Sequence, residues 1–170
     1  WAFCMTMPHY WKGTDIGYPP PTEGHLRLQI YTNLAYGARA IQYFKYWTSK
    51  PKPDATIIYY DGLIDAEGKR TRTFDLLKKI NAEIKHLAPL LLSLQVIAVA
   101  HTDPLPQGTK GLSSDIPVTA IKGDCFVSLA TRDAERYLWV VNRSFDREQK
   151  VTLTLAGGVE RLEEVDRGHG

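Results

Sequence analysis

The sequence predicts a mixed chain, with an α/β segment over residues 1–92 and an all-β segment over residues 93–170. Two observations lead to this prediction. Up to Pro89 the apolar pattern runs strand, long loop, helix, strand, long loop, helix, which is the order that builds a parallel sheet. After Pro89 the apolar runs become short and alternate with turn residues, which is typical of antiparallel sheets.

The first predicted strand, residues 1–7, is followed by a long loop, "PHYWKGTDIGYPPPTEG" (residues 8–24). The loop is rich in proline, glycine and aromatic residues, so it is expected to be structured. Loops of this length in compact domains often carry function.

The first predicted helix begins at Thr22, a residue type that caps helix N-termini well. Leu26, Ile30 and Leu34 then recur at four-residue spacing, which predicts an amphipathic helix with one apolar face. Gly37 is expected just beyond its C-terminus, where glycine is favoured.

The second predicted strand is "AIQYFKYW" (residues 40–47), and a second long loop follows it over residues 48–71. Thr73 is the expected cap of a second helix, whose apolar face repeats with helical spacing. The loops after the strands are long, while the link "YGARA" before the second strand is short. This asymmetry is typical of a (β/α)8 (TIM) barrel, in which active-site loops follow the strands. Residues 1–92 are therefore expected to be the last two βα units of such a barrel.

The expected antiparallel β-sandwich of residues 93–170 rests on a series of short apolar runs separated by turn-forming segments such as "KGD" and "RDAE". The runs are "LQVIAVAH", "IPVTAI", "CFVSLAT", "RYLWVVN", "KVTLTL" and "VERLEEV".

Composition excludes several classes of function. The net charge of the 170-residue chain is only +2, and no run of Lys and Arg reaches the length typical of a nucleic-acid site. No apolar stretch is long enough to span a membrane. Cys4 and Cys125 each lie in an apolar run, so two buried free thiols are expected rather than a disulfide, and no zinc-ligand spacing occurs. No metal and no cofactor is expected.

Two stretches resemble a known group of enzymes. "HLRLQIYTNLAYGARAIQYFKYW" and "GLIDAEGKRTRTFDLLKKINAEIKHLAPLL" are similar to the last helix–strand unit and the final helix of clan A glycoside hydrolase barrels, most closely the family 42 β-galactosidase-like enzymes of gut bacteria. The resemblance implies the C-terminal part of a hydrolase of O-glycosidic bonds that uses carboxylate acid/base catalysis. It also implies a carbohydrate substrate, a periplasmic or secreted bacterial location and an accessory role for the sandwich.

The sequence departs from that family at the expected nucleophile. The family's nucleophilic glutamate ends the seventh barrel strand, which the resemblance places at residues 1–7, yet "FCMTMPHYW" contains no Asp or Glu. The acid/base glutamate is expected upstream of Trp1, so the chain by itself is expected to be inactive. Asp15 is a weak candidate for a displaced catalytic carboxylate. The alternative is a non-catalytic carbohydrate-binding or structural protein that uses the barrel as a scaffold.

Aromatic residues supply the candidate substrate-binding side chains. His9, Tyr10 and Trp11 follow the first strand directly, where three amphipathic rings fit a sugar subsite. Trp47 ends the second strand, where its flat face is expected to stack on a sugar. The alternatives are loop packing for the three rings and core packing beneath the next loop for Trp47.

Strand alternation assigns two further candidates to the Trp47 side. Tyr43 and Lys45 are expected to point into the barrel, with Phe44 and Tyr46 against the helices. A lysine there needs a carboxylate or water as its partner, and the alternative is a flipped strand whose lysine reaches outward. By resemblance, the Trp47–Thr48 peptide bond is expected to be cis.

Overall fold

The computed structural model describes residues 1–50, 52–159, 161–166 and 168. The described residues form ten strands and two helices. Their order is β1 (Ala2–Met5), β2 (His9–Trp11), β3 (Gly17–Tyr18), α1 (Glu23–Ala35), β4 (Ile41–Phe44), β5 (Ile57–Tyr59), α2 (Arg72–Ser93), β6 (Gln95–His101), β7 (Val118–Lys122), β8 (Cys125–Arg132), β9 (Glu135–Asn142) and β10 (Thr152–Leu155).

Within the described part of the chain, the strands form four small sheets. β1 and β4 pair in parallel, whereas the sheets β3-β2-β5, β6-β8-β9 and β10-β7 are antiparallel. The structure is therefore mostly β, with small antiparallel sheets predominating.

The predicted α/β class and barrel portion are wrong. Among the strand pairs of the described residues, only β1–β4 is parallel, and that sheet stops at two strands, so these residues contain no part of a barrel wall. The segments predicted as long loops instead contain β2, β3 and β5. The physical reason is that "HYW" and "TIIYY" have strand-forming aromatic and β-branched residues, which pair with each other as antiparallel neighbours.

Local signals placed α1 correctly. Thr22 is its N-cap, and the Thr22 hydroxyl accepts a hydrogen bond of 3.3 Å from the His25 backbone N–H. Gly37 lies two residues beyond the helix at φ +88°, a left-handed conformation that glycine adopts without strain. Leu26, Ile30 and Leu34 are buried as their spacing predicted.

Helix α2 begins earlier and ends later than predicted. Its N-cap is Thr71 rather than Thr73, and the Thr71 hydroxyl donates to the Gly62 carbonyl (2.8 Å) instead of capping a helix N–H. The helix continues through Pro89 to Ser93. The predicted domain boundary between residues 92 and 93 thus falls in the last turn of α2.

The two helices pack over the β1–β4 pair. The buried residues of this cluster are Cys4, Leu26, Ile30, Leu34, Leu63, Leu77 and Ile80. The helices are also joined by a forked ion pair, in which Arg27 Nη1 and Nη2 lie 2.7 and 2.6 Å from the Glu83 carboxylate. The Tyr31 hydroxyl donates to the same carboxylate at 2.7 Å. Bidentate geometry of this kind holds two elements in a fixed orientation.

The antiparallel sheets of residues 95–155 enclose a second apolar cluster. Its buried members are Ala100, Ile116, Val118, Val127 and Leu129, contributed by β6, β7, β8 and the segment before β7. Side chains from β9 and β10, such as Leu138 and Leu153, pack against it.

A third cluster joins the two halves of the chain. Ala35 of α1 is buried with Phe126 of β8 and Val141 of β9. The Ser128 hydroxyl, fully buried, donates to the Ala35 carbonyl at 2.6 Å. At the other end of α1 the ring of His25 stacks on Phe145, with centroids 4.0 Å apart. Helix α1 therefore contributes buried residues to the hydrophobic cores of both the N-terminal and the C-terminal half of the chain.

No helix among the described residues combines the length and apolarity needed to cross a membrane.

We expect Ser128→Ala to lower the free energy of unfolding by about 1–3 kcal/mol, because it leaves the Ala35 carbonyl buried without its donor. Urea denaturation measures the change. The matched control is Ser93→Ala, which removes an equivalent hydroxyl-to-carbonyl bond (2.7 Å) at an exposed helix end. Equal losses in the two variants would contradict a specific role for the Ser128 contact.

We also expect the Cys4 thiol to be inert in the native protein. Burial raises the pKa of Cys4 from 9.0 to about 12, and the thiolate is the reactive form. Below pH 9 both states keep the proton; as the pH rises towards 12 only the unfolded chain loses it, so stability falls over that window. Ellman's reagent at pH 8 should label Cys4 only after unfolding, and rapid native labelling would contradict this.

Candidate functional site

The small sheet β3-β2-β5 gathers aromatic side chains on one of its faces. Tyr18 and Tyr59 lie opposite His9 in the strand register, so all three point to the same side. Trp11, two residues after His9, shares that side by strand alternation. Phe44, at the end of β4, contacts His9 from the neighbouring sheet. We call this set, His9, Trp11, Tyr18, Phe44 and Tyr59, the aromatic face.

The rings of the aromatic face centre on His9. The centroid of the His9 ring lies 4.9 Å from that of Tyr18 and 5.3 Å from that of Tyr59, both tilted by 35°. The ring of Phe44 meets that of His9 edge-on, with centroids 6.2 Å apart, and lies tilted against that of Tyr59 at 6.3 Å. These separations are those of favourable aromatic pairs, so the rings of His9, Tyr18, Phe44 and Tyr59 stabilise one another's positions.

His9 is the buried member of the set, with 8% of its surface exposed. Its Nδ1 lies 3.1 Å from the Met7 carbonyl oxygen. A carbonyl can only accept, so this bond assigns a proton to Nδ1. In neutral His9, Nε2 is then left as a hydrogen-bond acceptor.

Two rings of the aromatic face are open to solvent. Trp11 is 46% exposed and Tyr18 is 50% exposed. The opposite side of the same sheet carries Tyr10, whose ring meets that of Tyr60 edge-on at 6.0 Å. Of the three candidates that the sequence predicts here, His9 and Trp11 therefore lie on the same side of the sheet, whereas Tyr10 points to the other side.

Lys45 lies at the margin of the aromatic face. Its Nζ is 5.3 Å from the centroid of the Tyr59 ring, a cation–π distance, and it donates to the Ser49 hydroxyl. The side chain is half-buried. Among the described residues, no carboxylate forms an ion pair with it.

Trp47 is half-exposed, at 53%, on an anchored backbone. The buried Thr48 hydroxyl donates to the Ile64 carbonyl at 2.6 Å and accepts the Gly62 N–H at 2.8 Å. The Ile64 N–H in turn donates to the Tyr46 carbonyl at 2.9 Å. The indole is therefore not packed beneath the following loop.

Tyr43 is separated from the other candidates. It packs against the core of α1, α2 and β1, and its hydroxyl donates to Asn81 of α2. Burial, with the nearby Cys4 thiol, raises the pKa of Tyr43 to about 12. The predicted orientation is therefore wrong at this point, because Tyr43 faces the helices while Phe44 faces the aromatic face.

Two further expectations for this strand fail. β4 ends at Phe44 rather than residue 47, because the backbone of residues 46–48 turns to pair with residues 62–64. The cis peptide bonds among the described residues are Phe44–Lys45 and Asp103–Pro104, so the predicted cis Trp47–Thr48 bond is wrong.

Among the described residues, no carboxylate forms a hydrogen bond or ion pair with the aromatic face. Asp15 is exposed in the turn between β2 and β3, and its side chain forms no hydrogen bond or ion pair within the described part of the chain. The ring contacts, hydrogen bonds and ion pairs of the face likewise include no Asp or Glu side chain from the described residues. No group of three His, Cys, Asp or Glu side chains in those residues is arranged to hold a metal ion.

The sequence reasoning missed Tyr18, Phe44 and Tyr59 as members of the site. A signal for Tyr59 was present, since "TIIYY" is a short run of β-branched and aromatic residues bounded by turn formers, which predicts a strand. Tyr18, by contrast, lies in a two-residue strand within a proline-rich stretch and carries no comparable local signal.

Comparison of the chain with protein-family models, curated proteins and solved structures finds no match. The resemblance to clan A glycoside hydrolases therefore stays a prediction.

We expect Thr48→Val to lower the free energy of unfolding by about 1–3 kcal/mol, because it leaves the Gly62 N–H without its buried acceptor. Urea denaturation is again the measurement. Thr119→Val is the control: it removes an exposed hydroxyl bond of 3.2 Å to the Thr154 carbonyl and should change stability little. If Thr48→Val left the free energy of unfolding unchanged, the hydrogen bonds of the Thr48 hydroxyl would not contribute to stability.

Proposed function

We propose that the aromatic face binds carbohydrate without hydrolysing it. The observation that carries this proposal is that two half-exposed rings, Trp11 and Tyr18, lie on the same face as the buried His9. Exposed apolar side chains that lie together on one face are typical of a binding site, whereas singly scattered ones are common on any protein surface.

The chemistry of the face suits a sugar. Pyranose rings present C–H groups on their flat sides, and these pack against aromatic faces while their hydroxyls hydrogen-bond at the edges. Tyr18 is supported by His9 at 4.9 Å, so little of its freedom is lost when a ligand binds. In neutral His9, the Nε2 acceptor is of the kind that binds a sugar hydroxyl.

Binding is favoured over hydrolysis by the contacts of the same residues. Glycoside hydrolysis requires two carboxyl groups at a fixed separation across the scissile bond. The contacts of the aromatic face, within the described residues, involve no carboxylate, and Asp15 has no partner that would position it. Of the two functions that the sequence leaves open, these observations support the non-catalytic one.

Trp47 is proposed as a second stacking surface. Its indole is half-exposed while the backbone on either side is held by Thr48 and Tyr46. A ring on a fixed backbone offers stacking area at low entropic cost. Substitution of Trp47 separates this contribution from that of the aromatic face.

The test is a titration of the purified chain with a panel of neutral and acidic oligosaccharides, followed by calorimetry or NMR. We expect Trp11→Ala and Tyr18→Ala each to weaken binding about tenfold to a hundredfold, because stacking on one aromatic ring is worth about 1–3 kcal/mol in the analogous case of nucleic-acid bases. Tyr137→Ala, on β9 and outside the aromatic face, is the matched control and should bind as the parent chain does.

Three outcomes would contradict the proposal. The first is no binding to any member of the panel, and the second is equal loss in Tyr18→Ala and Tyr137→Ala. The third is turnover of aryl glycosides by the chain, which would show that it carries a catalytic pair of carboxylates.

A further inference from the structure

We infer that Lys45 makes the aromatic face selective for carbohydrates that carry a carboxylate, that is, for uronic acids. This inference rests on the proposed carbohydrate binding and names the substrate class for the same site.

The first step is the charge balance of Lys45. Its ammonium is half-buried, and its contacts are the neutral Ser49 hydroxyl and the Tyr59 ring. Partial burial weakens the hydration of an ammonium group, and a hydroxyl with a ring replaces that hydration only in part. Since no described carboxylate pairs with Lys45, the site has one positive charge that an anionic ligand can neutralise.

The second step is the position of that charge. Lys45 Nζ lies 5.3 Å from the Tyr59 ring, and the Tyr59 ring lies 5.3 Å from that of His9, at the centre of the aromatic face. The ammonium therefore lies at the β5 margin of the aromatic face, on the opposite side of His9 from Tyr18. In a pyranose the carboxylate of a uronic acid projects from the rim of the ring, so a stacked ring presents it sideways, towards such a margin.

The third step is the local field. The Lys12 ammonium donates to the Pro53 carbonyl at 3.4 Å, which brings the end of β2 to a loop that carries Lys50 and Lys52. The acidic residues Asp15 and Asp54 belong to the same two segments, so the cationic excess there is modest. The direction of the field favours an anion, and Lys45 supplies the specific contact.

The experiment compares each acid with its own neutral form. Trigalacturonate, triglucuronate and trimannuronate are titrated into the parent chain beside their fully methyl-esterified forms, which keep the sugar rings and lose the charge. We expect at least one acid to bind about tenfold or more tighter than its ester, because a hydrogen bond to a charged partner is worth at least that ratio. The preference should shrink as salt is raised, since Lys45 is only half-buried.

Variants assign the preference to one side chain. Lys45→Gln should lower the affinity for the acid to that for its methyl ester. Lys45→Arg should keep the preference for the acid over its ester, because it keeps the positive charge. The matched control is Lys85→Gln, which removes one positive charge from the exposed side of α2 and should leave that preference unchanged.

Each remaining outcome overturns a stated claim. Equal affinity for acids and esters, with Tyr18→Ala still weakening both, would overturn the role of Lys45 and leave the carbohydrate-binding proposal standing. Binding of sulfated oligosaccharides in preference to every uronate would overturn the carboxylate assignment. No binding of any sugar would overturn the proposed function itself, and the selectivity with it.

Discussion

The packing of α1 between two sheets is the constraint on which the rest of the structure depends. One side of the helix covers the β1–β4 pair through Leu26, Ile30 and Leu34. Another side meets β8 and β9, where Ala35 is buried with Phe126 and its carbonyl accepts the Ser128 hydroxyl. A helix buried on two sides needs small residues at its closest approaches. Gly24 shows this, since a Cβ there would lie 1.8 Å from the Phe145 carbonyl oxygen.

The same packing fixes the position of the aromatic face. With β1 and β4 held against α1, the Phe44 carbonyl accepts the N–H groups of Thr6 and Met7 at 2.8 and 3.1 Å. The buried Met7 then leads directly into β2. The antiparallel sheet that carries the rings is thus joined through its backbone to the core. This connection gives the exposed rings a rigid support, which is the condition under which stacking area contributes efficiently to binding.

Affinity and selectivity have separate physical sources in the proposed site. Trp11 and Tyr18 supply apolar area whose contribution does not depend on the charge of the ligand. Lys45 supplies a charge held beside Tyr59 and Ser49, whose contribution depends on both the ligand's charge and the ionic strength. Trp47 stands apart from both, because its position is determined by the pairing of residues 46–48 with residues 62–64.

The sequence by itself determined the local elements whose signals lie within a few residues. Thr22 marks the N-terminus of α1 and Gly37 follows its C-terminus. The spacing of Leu26, Ile30 and Leu34 predicts which side of the helix is buried. Short β-branched runs likewise marked the strands of residues 95–155, because strand propensity is read from neighbouring residues. The sequence also predicted His9 and Trp11 as candidate binding residues, because these aromatic residues directly follow a predicted strand.

Tertiary structure alone decided which strands pair with one another and on which side of β4 the rings of Tyr43 and Phe44 lie. A strand–helix–strand order is compatible with a large parallel sheet, but here the parallel pairing ends with β1 and β4 while β2 pairs with β5, more than forty residues away along the chain. No local pattern encodes that choice, since strand propensity reflects the surface on which a strand lies rather than its partner. Tyr43 therefore faces α2, Phe44 joins His9, and Lys45 meets Tyr59 only because these distant segments come together.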